Sequence, residues 1–398
     1  AGYRRDALQE PSNDPQAFFG EAPVSAPKIK KLRVALVAAP LASPIVAPFG
    51  TVTTRHNILV RVETDDGAWG IGESWGNFPP WGCRDRVDIL VNVIRPLLVG
   101  QPFDEPARLY RMLADKLRAL ANQLGAPGPF QQALAGADIA LWDMAARRAG
   151  KPLADFIRGG TSPRSVDVYA TNLPISRPET IEEMAAKGHT RFKFRVSGED
   201  PAIIERLRDA RMIAGKRVLM ADATQSFTPG TLRSFARPLA EISLGWLEEP
   251  FLADDLDSYV EWRDEPVRPP MALGENSYRL EGFRRILDVV RRELVQPDIT
   301  KTGGISEGRD ICRAIIATGR RACLHMYGGP VGLYASAHLA AAIDGMSWLE
   351  MDSMPNPLFG MLLPEAPSVR EGRLALPAGA GLGDRFFREE IFEEFEVR

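Results

Sequence analysis

Cysteine and histidine are both scarce in this 398-residue chain, with three of the first and four of the second. Cys83, Cys312 and Cys323 are too few and too scattered for a disulfide framework. They fit a reducing compartment, so a cytoplasmic location is expected. No run of about 18 apolar residues exists, which excludes a spanning helix and argues against a membrane partner. The formal net charge is only −3, and no basic stripe offers a footprint for nucleic acid. No phosphate-loop motif or GxGxxG follows a strand, so nucleotide cofactors are not indicated. Residues 1–27, polar and proline-bearing, lack the apolar core of a signal peptide and read as a loosely held arm. What remains is 45% hydrophobic and 25% charged, an ordinary globular composition in a chain long enough for two or three domains.

Acids recur at a fixed step. Three short apolar runs end on Asp222 (LMAD), Glu248 (GWLE) and Glu275 (MALGE), spaced 26 and 27 residues apart. Such a step holds about one strand, one helix and two loops. It continues backwards to Lys193 and Arg195, and forwards to Asp298 (ELVQPD), His325 (RACLH) and Glu350 (MSWLE). Solvated strand ends alone seldom place a charged side chain on seven strands in succession. Carboxylates at the C-terminal ends of consecutive βα strands share one rim of a parallel sheet. In a closed barrel that rim carries the active site. Three carboxylates there repel one another unless a cation intervenes, and oxygen-only donors suit Mg²⁺ or Mn²⁺ rather than zinc.

The coarse organisation follows from periodicity. KIKKLRVALVAAPLA (28–42) reads as a strand. A hairpin follows through Ile58–Glu63, a DDG turn and Ala68–Gly72, and helical patterns fill about 85–150. From VDVYAT (166–171) onward, strand and helix alternate through eight strands ending near Thr171, Arg195, Asp222, Glu248, Gly274, Asp298, His325 and Glu350. The expected fold class is α/β: a (β/α)₈ TIM barrel with an N-terminal α+β capping domain completed by the C-terminal segment. The expected divisions are an arm (1–27), the capping domain (28–155), the barrel (156–352) and a C-terminal segment (353–398). Within that last segment, the 355–364 loop and the 373–376 strand are expected to return to the N-terminal unit.

ADATQS with Asp222, LEEP with Glu248, GEN with Glu275, QPDITKTGG with Asp298, the lone His325, and SWLE with Glu350 together resemble the enolase superfamily, within it the mandelate racemase subgroup. The resemblance runs from about Lys28 to the C-terminus. It implies a Mg²⁺ held by Asp222, Glu248 and Glu275, a small carboxylate substrate, and a base that removes the proton α to the carboxylate. It also implies a homo-oligomer. His325 ends a barrel strand and is the expected base, with Asp298 on the preceding strand fixing its tautomer. His56, His189 and His338 fall in a hairpin, a turn and a helix, and read as surface or packing residues. Glu350 resembles the family's hydrogen-bond donor to the substrate carboxylate, a role that needs a protonated side chain with a raised pKa.

One position departs from the subgroup. Where its racemases carry Lys-x-Lys, this chain reads Lys193-Phe194-Arg195. Arginine stays protonated and is a poor base, but it suits a carboxylate or hydroxyl, while Lys193 can meet the substrate carboxylate as a cation. Two-base racemisation needs a base on each face. With one, the chemistry better fits elimination of water from a sugar acid. The alternatives are a racemase or epimerase of a 2-hydroxy acid, and a barrel that binds metal and ligand without turnover. Asn276, and in the capping loop Trp75, Asn77 and Trp81, are candidates for substrate contact, though the three loop residues equally suit packing at the domain seam. The GGPVG after His325 offers backbone amides to an anion, or is simply a tight strand-to-helix turn.

Overall fold

Alternation of side chains along β1 (Ile29–Ala47), β2 (Gly50–Thr64) and β3 (Trp69–Ser74) produces an antiparallel sheet in the order β1-β2-β3. The computed structural model describes residues 26–397 apart from 48, 49, 78, 292, 385 and 386, so most of the expected arm lies outside the described residues. The pleat sends successive residues to opposite faces. Leu32, Val34, Ile58, Val60 and Val62 join one core with the helices Pro106–Gln123 and Pro127–Arg148, whereas Ala35, Val37, Leu59 and Ile71 join the core that runs into the barrel. The first two strands run further than the sequence suggests. Beyond the expected strand end at residue 42 the pairing continues, with Ile45 opposite Val52 after a register shift beyond Pro40.

The helix Pro127–Arg148 is buried on nearly every side, and it seats the cap on the barrel. Its approach to β3 is very close: a Cβ on Gly72 would sit 2.1 Å from the carbonyl oxygen of Gly136. Buried acids anchor the same helix. Asp138 accepts from the backbone N (2.8 Å) and Oγ (2.6 Å) of Ser306, and Asp143 accepts from the amides of Ile71 (3.0 Å) and Leu382 (2.8 Å).

Among the described residues, eight parallel strands follow: β4 (Ser165–Pro174), β5 (Arg191–Arg195), β6 (Val218–Asp222), β7 (Leu247–Glu248), β8 (Met271–Leu273), β9 (Leu294–Val295), β10 (Arg321–Leu324) and β11 (Met346–Asp352). Pairing of Leu349 with Val168 closes the ring between β11 and β4. Inside it Tyr169, Met220, Trp246, Ala272, Leu294 and Cys323 form one packed layer. Because side chains alternate along a strand, the next inward layer lies two residues on. That layer is Thr171, Asp222, Glu248, Gln296 and His325. On β8 the chain turns at Gly274 (φ 129°), a backbone conformation glycine takes without strain, and Glu275 arrives one residue later.

The C-terminal segment departs from expectation in part. After β12 (Val369–Arg370), β13 (Arg373–Ala375) pairs antiparallel with residues 165–167 of β4, not with the capping sheet. β11 reaches β4 only from Val168 onward, so the first residues of β4 present an open edge that β13 covers. The last residues do reach the cap, where the Val397 amide donates to Val34 O (2.8 Å) and Arg33 pairs with Glu396 (2.8 Å).

His338, on the helix Pro330–Ala342, is fully buried and accepts the Ala154 amide at Nδ1 (3.1 Å). Burial lowers its pKa to about 4, against 6.5 ordinarily. A proton that binds the unfolded chain below pH 6.5 is therefore refused by the fold until about pH 4. Stability rises with pH across that window and falls on acidification. The expected loss from this group is roughly 3 kcal/mol between pH 6.5 and 4. The difference in urea-unfolding free energy between wild type and His338→Gln, followed over that range, checks it. A pH-independent difference refutes it.

Candidate active site

A cavity of about 730 Å³ opens between the C-terminal rim of the barrel and the cap, and its walls carry Asp222, Glu249, Glu275, His325 and Glu350. Trp75, Asn77 and Trp81 of the capping loop line it too, as do Arg195, Asn276 and Lys301. Trp75 lies beneath the Lys301 ammonium (4.1 Å) and 6.2 Å from the His325 ring, while Trp81 is 72% exposed at the mouth. Asn77 is buried, donating to Tyr327 O at 3.4 Å with its Oδ1 unpartnered.

His325 stands among acids. Its Nδ1 is 2.8 Å from Asp298 Oδ2, and its Nε2 is 3.0 Å from Glu275 and 3.5 Å from Glu350. Asp298 is itself fixed, accepting at Oδ1 from the amide (2.8 Å) and hydroxyl (2.6 Å) of Thr300. Burial opposes protonation of the imidazole, but Glu275, Glu350 and Asp298 outweigh it and hold the ring as an imidazolium well above its ordinary pKa. The acid on its cavity side, Glu275 at 3.0 Å from Nε2, is one of the expected metal ligands, and a cation held there would offset that carboxylate's pull on the proton and leave the imidazole able to act as a base.

Lys193 is completely buried. It contacts Glu248 and lies 2.8 Å from Glu350. Burial disfavours its charge, yet Glu248, Glu350 and Asp222 more than restore it, and the amine stays protonated. Glu350 runs contrary to expectation. Burial pushes its pKa up, but Lys193 and His325 pull it below the ordinary value, leaving a carboxylate rather than a protonated donor.

The three acids expected to bind metal are neighbours, but they do not form a finished centre. Asp222 and Glu248 are directly paired across β6 and β7, and Asp222 and Glu275 reach the cavity wall. Glu248 lies beneath the floor, held by Lys193, Trp246 Nε1 (2.9 Å) and Gln296 Nε2 (2.7 Å). Glu275 is taken by His325, by Lys301 (3.3 Å) and by Asn276 Nδ2 (3.2 Å). Among the described residues no group of three such side chains stands ready to hold an ion. The donor chemistry nonetheless suits a hard cation. Burial raises the pKa of Glu248, and repulsion from Asp222, Glu350 and Glu275 adds to it against the pull of Lys193, a surplus of negative charge that a divalent ion would relieve.

Sequence reasoning missed Glu249. It is buried on the cavity wall with Oε1 unpartnered and Oε2 accepting from Asn276 (2.8 Å), and burial with repulsion from Glu275 raises its pKa to about 8. It also missed Glu73 at the end of β3. That carboxyl group accepts the amides of Gly329 (2.6 Å) and Gly332 (2.7 Å), so the GGPVG amides are taken by a side chain of the cap itself, whose pKa burial raises to about 7. Arg195 donates to Asn172 Oδ1 (2.6 Å), and Asn172 in turn donates to Asp352 (3.1 Å), the partner of the buried Arg55 (2.7 Å). No helix among the described residues is long and apolar enough to cross a membrane.

Comparison with known proteins agrees with this architecture. The family model "Mandelate racemase / muconate lactonizing enzyme, N-terminal domain" matches residues 29–158, and "Enolase C-terminal domain-like" matches residues 177–390. An arabinonate dehydratase of Saccharolobus solfataricus is 29% identical, over 86% of this chain and 91% of its own. An L-talarate/galactarate dehydratase of Salmonella typhimurium is 27% identical, over 89% and 88%. A solved mandelate racemase/muconate lactonizing enzyme of Bordetella bronchiseptica superposes with a TM-score of 0.81 at 36% identity, covering 90% of this chain and 97% of its own.

Proposed function

Since the chain belongs to the mandelate racemase/muconate lactonizing enzyme family, with its enolase-like C-terminal domain, we propose that it is a magnesium-dependent hydro-lyase converting a sugar acid to a 2-keto-3-deoxy acid. The observation that carries the reading is the supply of bases. His325 has one nitrogen fixed by Asp298 and the other turned to the cavity acids. Lys193 is locked between two carboxylates, and Arg195 does not give up its proton. One base fits elimination, and two-base racemisation lacks its second partner. Relatives named as dehydratases of arabinonate and of talarate/galactarate support the same choice.

Asp222, Glu248 and Glu275 are the residues that would hold the Mg²⁺, which supplies Lewis-acid stabilisation for charge developing on the substrate carboxylate. The Lys193 ammonium lies beneath the floor, where it favours the charged forms of Glu350 and Glu248 and holds both in place. His325 Nε2 removes the α-proton, and Asp298 stabilises the imidazolium that forms. The electron pair of the broken C–H bond becomes the C2–C3 double bond as the C3–O bond breaks. Hydroxide leaves with the proton returned by His325, so one water departs. The resulting enol tautomerises to the 2-keto acid.

The test is a screen of aldonic and aldaric acids with Mg²⁺, assayed for 2-keto-3-deoxy product and run in D₂O. Dehydration is the expected outcome. Deuterium entering recovered substrate of inverted configuration, with no loss of water, would establish a racemase instead.

A further inference from the structure

Arg86 enters the roof of the cavity from the cap helix Gly82–Asp88. Its Nε donates to Gln132 Oε1 (2.7 Å) and its Nη1 to Gly82 O (2.7 Å). Gln132, buried, reaches the Tyr278 hydroxyl (3.4 Å) on the same wall. Tyr278 is in turn backed by Gly128, where a Cβ would lie 2.8 Å from the ring. The guanidinium is therefore held in place by neutral groups. Its nearest acid, Asp85, is 4.0 Å away, with a side chain more than half exposed. Burial pulls its pKa down, as for a cation that has lost water without gaining a counter-ion.

A charge removed from water is costly unless paired. Among the described residues this one meets no carboxylate closer than Asp85 at 4.0 Å, yet it faces the cavity. Arg195, the guanidinium on the barrel side of the cavity, likewise donates to a neutral amide oxygen, that of Asn172, but lies on the floor strand β5 next to Asp222 rather than on the roof. A substrate hydroxyl would hydrogen-bond Arg86 but leave its charge uncompensated. A carboxylate satisfies both the charge and the planar fork of donors. Asp222 and Glu275, expected to hold the metal that takes the reacting carboxylate, line the floor, and Arg86 lines the roof. A ligand engaging both therefore carries acid groups at both ends.

We infer that the substrate is a dicarboxylate, an aldaric rather than an aldonic acid, with Arg86 receiving the carboxylate remote from the reacting carbon and Gln132 positioning Arg86. This rests on the dehydratase reading and narrows it.

The experiment compares an aldaric and an aldonic acid of equal length and configuration, with Mg²⁺. Wild type is expected to favour the diacid about 100-fold in kcat/KM, a factor within reach of one charge-assisted pair. Arg86→Gln should collapse that ratio towards one, chiefly through KM for the diacid, and Arg86→Lys should restore part of it. Calorimetric titration of both acids into the His325→Asn protein gives an arm independent of turnover, with diacid binding expected to be about 100-fold tighter. Equal use or equal binding of the two acids by otherwise intact protein overturns the inference and leaves the dehydratase reading standing. A parallel loss for both acids in Arg86→Gln overturns it as well. Absence of dehydration with any acid defeats the underlying reading, and the titration still decides the role of Arg86.

Discussion

Replacing His325 with asparagine is expected to lower kcat for dehydration by roughly 10²- to 10⁴-fold, the usual contribution of a positioned general base. Asparagine can keep a hydrogen bond to Asp298 but cannot accept the α-proton. The same side chain also returns that proton to the departing hydroxyl, so both halves of the elimination fail together and the upper end of the range is expected. Substrate affinity, measured by titration, should change far less than turnover. The imidazolium is also the cation between Asp298, Glu275 and Glu350, so some thermal stability should be lost. Turnover within tenfold of wild type would remove His325 from the mechanism.

Stripping divalent metal with EDTA is the second large effect. Turnover should fall to background and return with added Mg²⁺. The α-proton of a carboxylate is barely acidic because its removal builds a dianion, and a lysine and a buried histidine alone stabilise that charge poorly. Lys193 contacts Glu248 and His325 contacts Glu275, so two cations share their carboxylates with the expected metal site. A measurement independent of turnover follows. Mg²⁺ at a hundred times its Kd would add about 2.7 kcal/mol to stability, raising the unfolding temperature by a few degrees. In the double variant Asp222→Asn/Glu275→Gln that rise should vanish. Full activity after exhaustive chelation would dismiss the metal altogether.

Most of the floor was legible because a strand has a period of two. Once Met220, Trp246 and Cys323 fill the barrel as apolar residues, Asp222, Glu248 and His325 must point the same way one layer higher. Charge state was less legible. Glu350 looked like a proton donor from its place on the eighth strand, but the nearness of Lys193 is a fact of three dimensions. Glu249 was hidden for a backbone reason. It adopts φ 32°, a left-handed turn that swings a residue expected to face away into the cavity, and nothing in LEEP announces it. Arg86 and Gln132 read as ordinary polar positions on helices. Only the docking of cap on barrel brings them over the rim. The β13 strand was assigned to the wrong partner because an open edge on β4 depends on where β11 begins to pair, a register no local pattern encodes.

The carboxyl group of Glu73 seated on the Gly329 and Gly332 amides bears on how the enzyme can admit its ligand. With Gly72 pressed against the long cap helix one residue earlier, the end of β3 is riveted to the turn that follows His325. The two domains therefore cannot gape like a clamshell about this seam without drawing that turn along. A ligand therefore enters by the mouth of the cavity, where Trp81 is 72% exposed.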